Sequence, residues 1–236
     1  MSLDSQQQST RQPGPDVRER LALALDVEEL SAALQLARRL QPWFGVAKVG
    51  LELFTAAGPE AVESLVNEGF SVFLDLKLHD IANTVERAAA RARSLGATYL
   101  TVHAVGGEAM LRAAVEGFGG GPGGVLAVTV LTSERDAPPA KVAERSVLAE
   151  RAGCTGVVCA ASDLATVTSS VPALIPVVPG IRLAGAACDD QARVATAGAA
   201  VAAGAKLLVI GRTVTAAPDP EAAAAEVKEQ VSLAIS

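Results

Sequence analysis

The chain has 236 residues, a formal net charge of −6 and an apolar content of 50%, of which aromatic residues form only a small part. This length and apolar content support one independent core and exclude a largely disordered chain. The acidic balance gives no general attraction to nucleic acid or to an anionic membrane, and no apolar run approaches the roughly 20 residues of a membrane-spanning helix.

The first 16 residues are polar and lack the apolar segment of a signal peptide. We therefore predict a disordered N-terminal tail over 1–16, a single domain over 17–236 and a cytoplasmic location. Two histidines, His79 and His103, are too few for a typical histidine-based metal site.

The cysteines also give no sign of a metal or redox site. Cys154, Cys159 and Cys188 form no C-x-x-C pair, and their number is odd. Since disulfides are rare in the reducing compartment assumed here, we expect none.

Eight apolar runs predict eight β-strands along the chain. They are LALALDV (21–27), FGVAKVG (44–50), SVFLDLK (71–77), ATYLTVHA (97–104), GVLAVTVL (124–131), GVVCA (156–160), LIPVVPG (174–180) and KLLVIGR (206–212). Nearly continuous apolar runs are typical of parallel strands that are buried on both faces.

Helical patterns lie between these runs, over 28–40, 58–69, 80–96 and 219–236. The first carries an apolar stripe, Leu30, Ala33, Leu34, Ala37 and Leu40. Asp80 is predicted to cap the helix over 80–96, and glycines are predicted to end that helix and the one over 58–69.

Eight alternating units predict an α/β protein of the (β/α)₈ barrel class, a TIM barrel. The alternative is a doubly wound open sheet, which more often has fewer strands and a glycine-rich turn after the first strand. Here the first turn reads LDVEEL and contains no glycine.

The segment GFGGGPGG (117–124) contains a G-x-G-x-x-G pattern. A dinucleotide-binding turn needs a strand before this pattern and a helix after it, and here the order is reversed. We predict a flexible loop on the lower face of the barrel.

Charged residues interrupt the apolar runs near the ends of the first three predicted strands. Asp26, Lys48, Asp75 and Lys77 are the residues concerned. Unpaired charges inside strands are costly, and the carboxyl ends of barrel strands carry active sites. Asp75 and Lys77 should share a face because side chains alternate along a strand. We therefore expect these four charges to meet at the catalytic rim.

A second set of residues follows the last two predicted strands. Arg182 comes after strand seven, and Gly211 and Arg212 end strand eight. Loops after these strands often bind phosphate in barrels, and arginine makes charge-assisted contacts to it. The residues alone thus predict an enzyme or a binding protein for a small phosphorylated ligand, without naming the reaction.

The run DLKLHDIANTV (75–85) resembles the signature of the orotidine 5′-phosphate decarboxylase family. The likeness extends in order through LALALDV, KVGLELF, TVHAVGG, AVTVLTS, GVVC, VVPGIR and VIGRTVT to the DP at 219–220. Ala82 stands where the family usually has proline or glycine, and the segment after Thr132 is short.

This resemblance implies decarboxylation of orotidine 5′-monophosphate to UMP in pyrimidine biosynthesis, with neither a metal nor an organic cofactor. It also implies a homodimer with shared active sites, in which Asp80 and Thr84 reach into the partner's site. Lys48, Asp75, Lys77 and Asp80 would form the charge network.

The resemblance further implies a role for each site residue. Lys77 would protonate C6, and Asp75 would lie near the departing carboxylate. The other implied contacts are Asp26, Lys48 and Thr84 to the ribose, Thr132 to the pyrimidine, and Arg182, Gln191, Gly211 and Arg212 to the phosphate or its closing loop. Without the resemblance, Gln191 is an unremarkable polar residue.

Two other functions fit parts of this pattern. A related sugar-phosphate decarboxylase or synthase would share the barrel and use magnesium. A non-catalytic barrel that binds a phosphorylated ligand would need the Arg212 end of the site but not the set Asp75, Lys77 and Asp80.

Overall fold

The computed structural model describes residues 16–134, 137–183 and 195–235. They form a closed barrel of eight parallel strands in chain order. The first strand pairs with both the second and the last, through Ala22 to Val46 and Ala22 to Val209. The predicted (β/α)₈ barrel is therefore confirmed, because an open sheet would leave two unpaired edges.

The strands are β1 Leu21–Ala24, β2 Val46–Gly50, β3 Ser71–Leu78, β4 Ala97–His103, β5 Gly124–Val128, β6 Gly156–Val158, β7 Ile175–Val178 and β8 Leu207–Ile210. The helices are α1 Leu30–Leu40, α2 Leu51–Ala57, α3 Pro59–Asn67, α4 Ala82–Ser94, α5 Gly107–Phe118, α6 Pro139–Arg151, α7 Leu164–Ser170, α8 Ala197–Ala202, α9 Arg212–Thr215 and α10 Pro220–Ile235.

Each predicted strand overlaps an observed one, but several strands end earlier than predicted. β1 stops at Ala24, so Asp26 lies in the loop that follows. β8 stops at Ile210, and Arg212 opens the short helix α9 instead of ending the strand. The functional candidates at these positions thus lie just beyond the strands.

The helices follow the predicted patterns with one error at a cap. α1 buries Ala33, Ala37 and Leu40, which confirms its stripe. α4 begins at Ala82 with Ile81 in the capping position, so the prediction of Asp80 as the cap was wrong. The Asp80 carboxylate instead accepts a hydrogen bond from the Ile81 N–H at 2.7 Å. This bond stabilises the turn between β3 and α4, just before the helix begins.

The glycine-rich segment lies between α5 and β5, as its sequence order predicted. The Arg93 guanidinium donates to the carbonyl oxygens of Gly120 and Pro122, both at 3.3 Å. It also lies 5.5 Å from the centre of the Phe118 ring. The segment therefore connects a helix to the start of a strand and is remote from the carboxyl ends.

The inside of the barrel is filled by alternate residues of the strands. These are Ala22, Ala24, Val46, Phe73, Leu126, Val177, Leu207 and Val209, with Tyr99, Val158 and Ile175 packed against them. Because side chains alternate with period two, the next inward position after Ala24, Val46, Phe73 and Tyr99 is polar in each case. The inward positions of β1 to β4 therefore change from apolar to polar at the carboxyl end of the barrel.

Within the described residues, no helix combines the length and apolar character needed to cross a bilayer. Cys154 and Cys159 are buried and form no disulfide, and burial raises the pKa of the Cys154 thiol to about 12. Cys188 and most of the predicted tail over 1–16 lie outside the described residues, and the domain limits stay a prediction.

Candidate active site

A cavity of about 500 Å³ opens at the carboxyl ends of the strands. Its lining includes eight of the residues that the sequence singled out: Asp26, Lys48, Asp75, Lys77, Thr132, Arg182, Gly211 and Arg212. The structure thus brings the predicted strand-end charges together in one cavity.

Four of these residues form a chain of ion pairs. The Lys77 ammonium donates to both oxygens of Asp75 at 2.8 Å. The Lys48 ammonium donates to Asp26 Oδ1 at 2.8 Å and lies 3.8 Å from Asp75 Oδ2. Asp75 therefore lies between two cations, and the charges of the four residues sum to zero.

The members of this chain differ in their access to solvent. The side chains of Lys48 and Asp75 are 9% and 13% exposed, whereas that of Lys77 is 30% exposed. Buried charges are stable only when they are paired, which accounts for the close contacts of Lys48 and Asp75. Of the two ammonium groups, Lys77 is the one more open to the cavity.

The carboxyl group of Asp75 is held in its ionised form. Burial by itself raises its pKa, because desolvation disfavours the charged state. The two ammonium groups and the hydrogen bonds from Lys77 and Thr101 outweigh burial, so the pKa lies below its ordinary value of 3.8. Asp75 is therefore an anion at neutral pH.

Lys77 reaches this position through an irregular strand. Its φ of 51° makes it the one non-glycine residue with a positive φ in the part of the chain that the structure describes. The pairing of β3 with β4 shifts here, from Leu74 opposite Leu100 to Leu78 opposite Val102. Left-handed backbone is rare for a residue with a long side chain and is concentrated at functional sites.

Sequence reasoning missed two uncharged residues that shape the ion pairs. The Thr101 hydroxyl donates to Asp75 Oδ1 at 2.9 Å and accepts from the Lys77 N–H at 2.9 Å. A Cβ atom at Gly50 would lie 2.8 Å from Asp26 Oδ1 and 3.0 Å from Lys48 Nζ. Thr101 could have been found as a polar residue two positions after Tyr99 in an apolar run. Nothing in the sequence around Gly50 indicates that its backbone lies close to the ion pairs.

The other end of the cavity is defined by Arg182, Gly211 and Arg212, which come from the segments after β7 and β8. Arg182 is buried, and its guanidinium and the Thr213 hydroxyl donate to the Ile181 carbonyl at 3.0 and 2.6 Å. Gly211 precedes α9, whose first residue is Arg212. Gln191 lies outside the described residues, so its predicted contact stays a prediction.

Apolar side chains also line the cavity. Val128, Val130 and Val158 line the cavity together with Leu131, and Thr132 lies beside them. Apolar side chains lower the polarity of their surroundings, which strengthens electrostatic interactions beside them.

Two predicted site residues do not line the cavity of their own chain. Asp80 is exposed, and Thr84 is half-buried with its N–H donating to the Ile81 carbonyl at 3.0 Å. Large apolar side chains are exposed in the segments after β3, β4 and β5, namely Ile81, Val105 and Leu131. This rim combines polar site candidates with apolar surface.

His79 and His103 lie beside the ion pairs. Their ring centres are 5.9 Å apart. Burial lowers the pKa of His103, as do the neighbouring His79, Lys77 and Arg145, against an opposing effect of Asp75. Among the described residues, no three His, Cys, Asp or Glu side chains are grouped so that they could hold a metal ion.

Residues 19–227 match the sequence profile of the family described as "Orotidine 5'-phosphate decarboxylase / HUMPS family". A relative from Anaeromyxobacter dehalogenans, named orotidine 5'-phosphate decarboxylase, is 52% identical over 217 residues, which cover 87% of this chain and 95% of the relative. A relative of the same name from Halorhodospira halophila is 47% identical over 94% of this chain and 98% of its own length.

The fold is also similar to that of a solved structure. The crystal structure of orotidine 5'-phosphate decarboxylase from Lactobacillus acidophilus has a TM-score of 0.75 and 32% sequence identity. The similarity covers 89% of this chain and 98% of that one.

Proposed function

Because the chain belongs to the orotidine 5'-phosphate decarboxylase / HUMPS family, we propose that its cavity converts orotidine 5′-monophosphate to UMP and carbon dioxide. The observation that carries the proposal is the Lys77 ammonium, which is bound to Asp75 at 2.8 Å and open to the cavity. The reaction explains why such a group is placed there.

Loss of carbon dioxide from C6 leaves an electron pair in the plane of the pyrimidine ring. The π system of the ring cannot delocalise this pair, so the protein must supply a fixed positive charge. The Lys77 ammonium supplies it in a site with a partly apolar lining, where a preorganised charge is more effective than in water.

The same ammonium completes the reaction. The bond between C6 and the carboxylate breaks, its electron pair stays on C6, and a proton moves from Lys77 Nζ to C6. Lys77 then regains a proton from water. Asp75 holds Lys77 before the substrate arrives and lies near the departing carboxylate, so one carboxylate orients the general acid.

The remaining cavity residues bind the parts of the substrate that do not react. Asp26 and Lys48 contact the ribose hydroxyls, and Thr132 lies beside the pyrimidine. Arg182, Gly211 and Arg212 bind the phosphate, together with Gln191. Binding energy at the phosphate stabilises the transition state at a distance by ordering the closed site.

The active enzyme is a homodimer with shared sites, in which Asp80 and Thr84 complete the partner's cavity and Asp80 joins its charge network. The supporting observations are that both residues lie outside the lining of their own cavity and that both contact Ile81, whose apolar side chain is exposed. Apolar surface of this kind is typical of an interface.

Mixing inactive Lys77→Ala chains with inactive Asp80→Ala chains tests the shared site. In a mixed dimer one of the two sites receives both intact residues, so equal mixing should restore about a quarter of the wild-type activity. Failure to recover activity after verified subunit exchange would contradict the shared site.

The reaction requires neither a metal nor an organic cofactor, because the charge comes from lysine. It takes place in the cytoplasm without a nucleic-acid or membrane partner, in keeping with the net charge of −6.

The loss of orotidylate absorbance, followed with and without EDTA, tests the function. We expect turnover that EDTA leaves unchanged. Orotidylate turnover that EDTA abolishes would contradict a metal-free reaction. Absence of orotidylate turnover would favour the magnesium-dependent sugar-phosphate enzyme, or, if orotidylate still binds, a phosphate-binding barrel.

A further inference from the structure

We propose that Thr101 is a positioning residue, whose hydroxyl fixes the Asp75–Lys77 pair in the geometry that the reaction needs. This inference rests on the proposed decarboxylation. Thr101 is fully buried on β4 and does not line the cavity, so it acts through its two neighbours and not on the substrate.

The first step of the argument is the irregular pairing of β3 with β4. Leu74 pairs with Leu100 and Leu78 pairs with Val102, so Asp75, Leu76 and Lys77 lie opposite the single residue Thr101. A bulge of this kind removes backbone groups from the regular ladder of hydrogen bonds. These groups need other partners, because an unsatisfied buried N–H is costly.

The second step is the hydroxyl of Thr101. One of its lone pairs accepts the Lys77 N–H at 2.9 Å and thereby replaces the missing ladder acceptor. Its single proton goes to Asp75 Oδ1 at 2.9 Å. One atom thus holds the backbone of the proposed general acid and the carboxylate that orients it.

The third step is the conformation that these bonds support. Lys77 has a φ of 51°, which a residue with a long side chain adopts only where its surroundings hold it. The hydrogen bond to its N–H is one such restraint. Without the hydroxyl, the backbone of Lys77 is free to relax and the ammonium moves away from its place beside Asp75.

The reaction is sensitive to such a movement. An ammonium that stabilises charge at C6 must already be in place in the transition state, and a misplacement of about 1 Å can cost about 100-fold in rate. Binding of UMP, which has lost the carboxylate, depends mainly on the ribose and phosphate contacts. The effect of Thr101 should therefore appear in the chemical step and not in product binding.

The test compares Thr101→Val with Thr101→Ser and with a matched control, Thr129→Val. Valine keeps the shape of threonine and removes the hydroxyl, whereas serine keeps the hydroxyl. Thr129 is also buried, but its hydroxyl donates to the Val158 backbone carbonyl at 2.9 Å instead of to a charged group. The control thus reports the cost of losing a buried hydroxyl that does not contact the ion pairs.

The quantities measured are the single-turnover rate constant for orotidylate and the dissociation constant of UMP. The rate is expressed per UMP-binding site determined by calorimetry, so unfolded molecules do not contribute. We expect Thr101→Val to lower the rate about 10- to 100-fold with UMP affinity within about threefold. Thr101→Ser should recover the rate to within about threefold of wild type, and Thr129→Val should retain it.

A rate for Thr101→Val within threefold of that for Thr129→Val would overturn the inference, as would a Thr101→Ser variant as slow as Thr101→Val. Where Thr101→Val does not fold, Thr101→Cys replaces it with the same expectation, because a thiol is a weak hydrogen-bonding group of similar size. If the wild-type chain does not decarboxylate orotidylate at all, the proposed function fails instead.

Discussion

The two ends of the cavity are built in different ways. The charged end uses side chains on or just beyond β1 to β3, and each charge is paired within the same end, as Lys77 is with Asp75 at 2.8 Å. The other end uses Arg182 and Arg212, which lie in the loop after β7 and at the start of α9. The charged end is therefore preorganised by rigid strands, whereas the phosphate end lies on connecting segments.

This difference indicates that the two ends of the cavity have different functions. Strands hold groups in place before the substrate binds, which is what stabilisation of a developing charge requires. Loops can adjust around a ligand, which suits a group whose binding energy orders the site. Changes at the charged end should therefore affect the chemical step, and changes at the other end should depend on the presence of phosphate.

The largest effect is expected at the charged end, for Lys77→Ala. Loss of the electrostatic and acid roles should lower kcat/KM at least about 10⁴-fold, taking each role as roughly 100-fold. Steady-state decarboxylation of orotidylate measures this, with circular dichroism as a check on folding. The exposed Lys206 offers the matched control Lys206→Ala, which should retain its activity. Near-normal turnover of Lys77→Ala would remove Lys77 from the mechanism.

The next effect is expected at the phosphate end, for Arg212→Ala. A lost charge-assisted contact to phosphate costs about 2–5 kcal/mol, or roughly 30- to several-thousand-fold in kcat/KM. The comparison uses orotidylate and the nucleoside orotidine, which lacks the phosphate. The loss should be confined to orotidylate. Equal losses on both substrates would contradict the division between the two ends.

A smaller effect is expected where the backbone approaches the ion pairs, for Gly50→Ala. The added Cβ would lie 2.8 Å from Asp26 Oδ1, so the Lys48–Asp26 pair must move. We expect a loss of about 10-fold in kcat/KM, since misplaced side chains weaken both binding and orientation. Gly120→Ala is the control, because a Cβ atom there has nothing within 4 Å. Equal activities of the two variants would show that the close approach has no consequence.

The smallest effect concerns stability in acid. The pKa of Asp75 is lowered from 3.8 in the folded chain, so its contribution to stability is fully present above about pH 4 and is lost as pH falls through the folded value. Urea unfolding of wild type and Asp75→Asn between pH 7 and pH 3 measures it. The difference in unfolding free energy should shrink below about pH 4. A constant difference would mean that the pKa of Asp75 is not lowered by folding.

Much of the fold and of the charged end could be predicted from the sequence. Parallel strands buried on both faces give apolar runs, and a charge inside such a run, as at Lys48 or Asp75, is conspicuous. The order of the runs then places these charges at one end of the barrel. The position of Arg182 and Arg212 followed from the same rule applied to the last two strands.

The rest depends on contacts between segments that are distant in the chain. Regular alternation of side chains along a strand predicted that Lys77 and Asp75 share a face. In the structure the two side chains meet because β3 bulges and Lys77 has a left-handed backbone, and no local sequence pattern indicates either feature. Thr101, on the neighbouring strand β4, stabilises that bulge through its hydroxyl. An uncharged threonine in an apolar run is common in strands, so the sequence does not mark it as a site residue. Asp80 resembled a helix cap, but its carboxylate holds the turn ahead of Ile81.

The most direct test of the central claim is a crystal structure of the chain with UMP bound. The account predicts that Lys77 Nζ lies within about 3.5 Å of C6 of the pyrimidine, with Asp75 beside it and the phosphate near Arg212. A Lys77 ammonium turned to bulk solvent, or bound to the phosphate, would contradict the account.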